Sequence, residues 1–175
     1  ICTDKTGTLT INKMTVVETD FYGGDEECEL IRQNMAVNST AEVFRDSDGK
    51  LVTIGNPTEV ALLKWMHKVG YEYESYRGKA SGVKQTPFST ETKYMQTTAV
   101  MQEGGEPVRF IKGAPEIVLS MCDTIAGGKN REHIEQVLQM YQSKAMRTLG
   151  FACQRLDADG VNETVFLGVV GIADP

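Results

Sequence analysis

The sequence predicts an α+β domain in which an antiparallel sheet is flanked by helices. Two hairpins and the placing of the helices predict it. Residues 93–101 carry threonines, Tyr94 and Val100. The Glu103-Gly104-Gly105-Glu106 turn follows, and residues 108–112 are again β-type. Residues 149–156 and 164–172 read as a second pair joined by Asp159-Gly160. Hairpins imply antiparallel pairing. The helical segments fall between strand groups, which favours α+β layers over a doubly wound parallel sheet.

The clearest helix start is Asn56-Pro57-Thr58-Glu59. Asn56 caps, Pro57 suits the first helical position, and Glu59 stands where a capping box needs it. Val60, Leu63 and Met66 recur at helical spacing, and Gly70 is a terminator. A second helix is expected over 130–147, with Ile134, Val137, Leu138, Tyr141 and Ala145 on one face. Shorter helices are expected near 26–38 and 115–122, and a strand over 15–19. Asp46-Ser47-Asp48-Gly49 reads as a turn, since it lacks the rest of a calcium loop.

The chain has 175 residues, 41% hydrophobic and 24% charged, which suits one globular domain with a sizeable core. The formal charge of -6 disfavours general nucleic-acid binding. The four cysteines, at 2, 28, 122 and 153, form no CxxC pair, and only two histidines occur. A zinc site is therefore not expected, and a reducing compartment fits. No apolar run reaches the ~18 residues of a membrane span, and no signal peptide is read. A chain that starts at Ile1 on a dense motif and stops at Asp174-Pro175 reads as a piece of a longer protein.

That motif is Cys2-Thr3-Asp4-Lys5-Thr6-Gly7-Thr8-Leu9-Thr10. The Asp4 carboxylate can attack a phosphoryl group and form an acyl phosphate. Lys5 adds positive charge beside the anion. Thr6, Gly7 and Thr8 supply hydroxyls and close-approach backbone for phosphate oxygens. The nonamer resembles the phosphorylation motif of P-type ATPases, the ion pumps that pass through an aspartyl phosphate. It is also related to the haloacid-dehalogenase phosphatase pattern, whose second aspartate acts as acid/base. Thr6 stands at that place here, so the acyl phosphate would be long-lived, as a pump requires.

Further segments resemble the nucleotide-binding domain of that family, in the same order. Phe88-Ser89-Thr90-Glu91-Thr92-Lys93-Tyr94-Met95 resembles its Phe-Ser-x-x-x-Lys-x-Met stretch. By resemblance Phe88 lies against adenine, Lys93 lines the pocket, and Met95 belongs to the same set. Taken alone, Met95 is a core candidate. Thr90 replaces an arginine that many members carry. Phe110-Ile111-Lys112-Gly113-Ala114-Pro115-Glu116 resembles the Lys-Gly-Ala-Pro-Glu signature, which implies Lys112 at the pocket mouth and Gly113 close to the nucleotide. Asn56-Pro57-Thr58-Glu59 resembles a family helix start whose glutamate accepts from the adenine amino group. Arg147-Thr148-Leu149 resembles the stretch whose arginine faces phosphates and whose leucine packs near the sugar.

The resemblance implies a six- or seven-stranded antiparallel sheet flanked by helices, with the two ends of the chain adjacent. It divides the chain into 1–14 (phosphorylation motif and outgoing hinge), 15–168 (nucleotide-binding domain) and 169–175 (returning hinge). ATP is the implied ligand, with Mg2+ held by the Asp4 carboxylate and the Thr6 carbonyl. The remaining phosphorylation, actuator and transmembrane domains of the same pump are the implied partners. The cation would bind among the membrane helices, and this segment would be a cytoplasmic part of a multi-pass membrane protein. The motifs look most like calcium pumps of the plasma-membrane type and their bacterial relatives. The segment alone is expected to bind ATP without turnover. A haloacid-dehalogenase-type phosphatase and a non-catalytic nucleotide-binding adaptor are the alternatives. Thr6 argues against the first, and the intact set Phe88, Lys93, Lys112 and Gly113 against the second.

Overall fold

The computed structural model describes residues 14–156 and 162–174. Strand β1 (Thr15–Phe21) leads into helix α1 (Asp25–Val37). A two-stranded hairpin, β2 (Glu42–Arg45) with β3 (Leu51–Ile54), precedes α2 (Pro57–Lys68) and α3 (Tyr73–Lys79). Then come β4 (Ser81–Thr86), β5 (Tyr94–Val100), β6 (Pro107–Gly113), α4 (Pro115–Ser120) and β7 (Thr124–Ile125). Helix α5 (Arg131–Ser143) and strands β8 (Arg147–Arg155) and β9 (Thr164–Ala173) complete the order.

The seven-stranded sheet runs β1-β9-β8-β6-β5-β4, with every neighbour on that path antiparallel. The two expected hairpins are both present. The Asp159-Gly160 turn lies outside the described residues. One short parallel pairing departs from the antiparallel expectation, Thr124–Ile125 against Val165–Phe166. β8 already fills the other edge of β9 there, so β7 continues β1 end to end.

Both faces of the sheet are covered, so its inner strands alternate between two cores. Phe110, Phe151, Leu167 and Val170 meet Ile31, Met35, Leu62 and Met66 of α1 and α2. Ile111, Ala152, Phe166 and Val169 meet Val118 and Leu119 of α4 and Ile134, Leu138 and Tyr141 of α5. β1 and β9 pair from Thr15 opposite Ala173, so the chain enters and leaves the sheet side by side. Both cores are closed by elements of this chain. Among the described residues no helix is long and apolar enough to cross a membrane.

Helices α2 and α5 start on side-chain caps. Asn56 accepts from the Thr58 amide at 2.8 Å, and Asn130 from the His133 amide at 2.9 Å. At α1, Glu27 reaches back to the Gly24 amide at 2.8 Å. Helix α5 ends four residues before the expected 147. Ala145 takes a left-handed φ of 57°, while the Met146 amide bonds Tyr141 and the Ala145 amide bonds Gln142. That is a Schellman stop made without glycine. It takes Ala145 off the helical face where the periodicity had put it.

Two measurements follow. Ala145 is exposed, so Ala145→Gly relieves the left-handed strain without opening a cavity. It is expected to stabilise by about 0.5–1 kcal/mol and raise Tm by about 1–4 °C in a thermal melt. The second concerns thiols. Burial pushes Cys153 up to about 11 and Cys122 up to about 12. The folded state therefore keeps protons that the unfolded thiols release from about pH 8.5 upward. The stability this contributes is complete below that pH and is lost as pH rises through 11–12. In a Cys2→Ser background at pH 8, a thiolate-directed reagent should react quickly with half-exposed Cys28 and slowly with the other two. Fast reaction of all three contradicts their burial.

Candidate nucleotide site

Asn56 and Pro57 set the first turn of α2 so that Glu59 points inward, where it is 7% exposed. Its carboxylate does not close a capping box on Asn56. Oε1 accepts from the Thr40 amide at 3.2 Å and the Thr40 hydroxyl at 3.1 Å. Oε2 accepts from Lys112 Nζ at 2.6 Å. A buried ammonium attracts the carboxylate more strongly than a single solvated amide at a helix start.

Lys112 lies on β6 between Met95 of β5 and Phe151 of β8. It points to the same face as Phe110, toward α1 and α2. Expected at a pocket mouth, it is instead 4% exposed. Its Nζ donates to Glu59 and to the backbone carbonyl of Asn38, the residue that ends α1. The last turn of α1 has no basic residue of its own, so Lys112 supplies the cation that a helix C-terminus favours. Burial pulls the Lys112 ammonium below its usual range, and the Glu59 carboxylate pulls the other way. The ammonium carries three N–H donors, and two have acceptors among the described residues.

Gly113 follows on β6, in a row that crosses five strands: Tyr94, Gly113, Gly150, Val169, Asp20. A Cβ at Gly113 would stand 2.4 Å from the Lys93 carbonyl, so only glycine fits. Lys93 has a φ of 64°, and its carbonyl accepts from the Ala114 amide at 3.0 Å. Its own amide donates to Ser89 at 2.7 Å, and Ser89 Oγ accepts from the Glu91 and Thr92 amides. This tight turn holds Lys93 exposed and leaves Phe88 at its root. The Phe88 ring is 55% exposed, a large apolar face turned to solvent.

The remaining expected residues divide. Met95 is buried directly across from Lys112 and packs in the interior. Leu149 is half-buried against the first core. Arg147 opens β8 at the same end of the sheet, exposed, with Asp174 at 3.3 Å from its Nε. Asp4, Lys5 and Thr6 lie outside the described residues. A hollow of about 450 Å³ sits at the opposite end of the sheet, lined by Leu30, Met101, Val108 and Arg155 among others. It shares no residue with the motifs, so its size alone does not make it the site.

Residues that the sequence reading passed over complete the arrangement: Asn38, Thr40, Arg77 and Gln85. The one available signal was the polar run Asn38-Ser39-Thr40 directly after a helix, which offers caps to a buried helix end.

The buried pair makes a stability test. Lys112→Met strands the Glu59 carboxylate and is expected to cost about 3–5 kcal/mol in urea melts. Adding Glu59→Gln should recover part of that loss, because a neutral amide needs no counter-charge. Additive losses in the double variant would show that the two groups are not coupled.

A family model described as P-type ATPase, cytoplasmic domain N, matches residues 27–175. The chain is 31% identical to the plasma membrane-type calcium-transporting ATPase 9 of Arabidopsis thaliana. It is 32% identical to calcium-transporting ATPase 1 of Lactococcus lactis and 34% to the calcium-transporting ATPase PAT1 of Dictyostelium discoideum. Each match covers 100% of this chain and 19%, 22% and 18% of those proteins, so the chain spans about a fifth of their length. An antiparallel sheet carrying these motifs at one end, matched along nearly its whole length, places the chain in the P-type ATPase family as its cytoplasmic domain N.

Proposed function

We propose that this chain binds ATP at the sheet end where Glu59, Phe88, Lys93, Lys112 and Gly113 stand, and that within the complete pump, though not in this segment alone, the bound nucleotide passes its γ-phosphate to Asp4. The observation that carries the reading is the convergence of separate motifs. Glu59 from α2 meets Lys112 of β6 at 2.6 Å, and Gly113 lies against the Lys93 backbone. Phe88 stands on the adjoining turn.

In this reading the Phe88 ring offers its π face to adenine, and Glu59 accepts from the adenine amino group. Lys93 and Arg147, both exposed, answer the anionic part of the nucleotide, and buried Lys112 holds the Glu59 carboxylate. The absence of a side chain at Gly113 lets the Lys93 turn pack against β6 and so sets where Lys93 stands. Met95 and Leu149 act as apolar support behind these groups. The Asp4 carboxylate then attacks the γ-phosphorus, the bond to the bridging oxygen breaks, and ADP leaves. Mg2+ on the Asp4 carboxylate and the Thr6 carbonyl would lower the repulsion between the two anions. Lys5 adds charge at the same place.

The wider reading is a pump in which 1–14, the phosphorylation motif and outgoing hinge, and 169–175, the returning hinge, flank the nucleotide-binding domain 15–168. They join it to phosphorylation, actuator and membrane domains, with the domain itself in the cytoplasm. The relatives' names favour Ca2+ as the transported ion.

Calorimetric titration with ATP tests the binding step. Phe88→Ala should weaken affinity about tenfold or more, and Phe88→Tyr, which keeps the π face, should restore most of it. Equal affinity of Phe88→Ala and the unaltered chain would remove the stacking role.

A further inference from the structure

The geometry points to Arg77 as a positioning residue for nucleotide recognition, acting through the loop 36–41. The inference rests on the reading of Glu59 as the group that accepts from adenine. It goes beyond that reading by naming what holds Glu59 in place.

The loop leaves the C-terminus of α1, where the last carbonyls have no partner inside the helix. Side chains from other elements take them one by one. Arg77 Nε donates to the Ala36 carbonyl at 2.7 Å, and Arg77 Nη2 to the Ala41 carbonyl at 2.7 Å. Gln85 Nε2 donates to the Val37 carbonyl at 3.4 Å and the Ser39 carbonyl at 3.3 Å. Lys112 takes the Asn38 carbonyl. The loop is thus held at both ends by one guanidinium. The Arg77 carbon lies 4.4 Å from the centre of the Tyr73 ring, and the Tyr73 hydroxyl is itself bonded to Val43.

What the loop presents is the Glu59 carboxylate's support. The Thr40 amide and hydroxyl both donate to Oε1. Thr40 sits directly before Ala41, where Arg77 anchors the backbone. Gly55, at φ 104° in the bend after β3, presses on the same point, where a Cβ would come within 2.9 Å of Ala41 Cα. A shift of Ala41 therefore moves both Thr40 donors on Oε1 and leaves Glu59 held by Lys112 on Oε2 alone. Arg77 bridges two carbonyls with separate nitrogens of one rigid fork, which a lysine ammonium cannot do.

Calorimetric titration of the 175-residue chain with ATP and with inosine triphosphate, which carries an oxo group in place of the amino group, tests this. The unaltered chain should favour ATP by about tenfold, the expected value of a hydrogen bond to a charged acceptor. Arg77→Met should bring the ratio close to one. Arg77→Lys, which keeps the charge and disturbs packing less, should do the same. A thermal melt of each variant separates loss of stability from loss of discrimination, because a purely structural role would lower Tm and leave the ratio unchanged. Variants that discriminate as well as the unaltered chain overturn the positioning role alone. An unaltered chain that binds both nucleotides equally overturns the adenine role of Glu59, and the positioning role with it.

Discussion

The buried ion pair between Lys112 and Glu59 is the interaction on which the rest of the site depends. It solves a problem set by α1, which drives its C-terminus into the interior beside the middle of the sheet. A helix end there needs donors for its carbonyls and favours positive charge. Lys112 provides both, but an ammonium so deeply buried is unfavourable without a counter-charge. Glu59, carried inward by the first turn of α2, supplies it. The same three elements, α1, α2 and β6, are thereby locked at one point. Such pairs add little net stability compared with apolar packing, because desolvation offsets the attraction. Their effect is geometric: neither group can move without leaving the other buried and unpaired.

Around this pair the polar side chains form one connected network. Asn34 of α1 donates to the carbonyls of Ile111 and Ala152, and Asn38 donates to Asn34 and to the Met95 carbonyl. Thr97 donates to Asn38 at 2.7 Å, and Gln85 to Thr97 at 3.1 Å. Strands β4, β5, β6 and β8 are all reached. In a low-dielectric interior an unsatisfied member of such a network is costly, so its members are fixed together. The site is in this sense part of the core and not a feature added to its surface.

This explains what could be read from the sequence. The strands that alternate between two apolar cores, and the helices with Asn caps, announced themselves by period and punctuation. The seven residues of α3 and the strand β4 did not. α3 buries only Tyr73 and Tyr76, and β4 is an exposed edge of polar residues. Both exist because of what they touch, Arg77 on the 36–41 loop and Gln85 on the same loop. Tertiary contact, and not local propensity, decides such segments. Glu59 shows the same limit at one residue. Its spacing from Asn56 fits a capping box, but a charged partner far away in sequence outweighs the local bond. The motif residues were legible as a set because each carries a type that phosphate or adenine chemistry wants. Their contacts were not, because the partners Asn38 and Thr40 lie in a stretch with no signature.

The position of the site on the sheet constrains the chemistry as well. Lys93, Gly113 and Arg147 lie toward the end of the sheet where Thr15 pairs with Ala173. Asp4 precedes Met14 by ten positions. Ten residues span at most about 35 Å when fully extended. In the reading proposed above, Asp4 is thereby tethered within that distance of Met14 at the β1 edge, while Lys93, just before β5, and Gly113 of β6 are separated from β1 by β8 and β9. The opposite end of the sheet, where the 450 Å³ hollow lies, is the length of a strand farther away. A ligand held there would need that extra distance to be closed by motion. In the proposed reading β8 and β9 mark the distance that a hinge movement of the chain around β1 and β9 has to close. Because β1 and β9 pair antiparallel from Thr15 opposite Ala173, the two connections to such a hinge lie side by side.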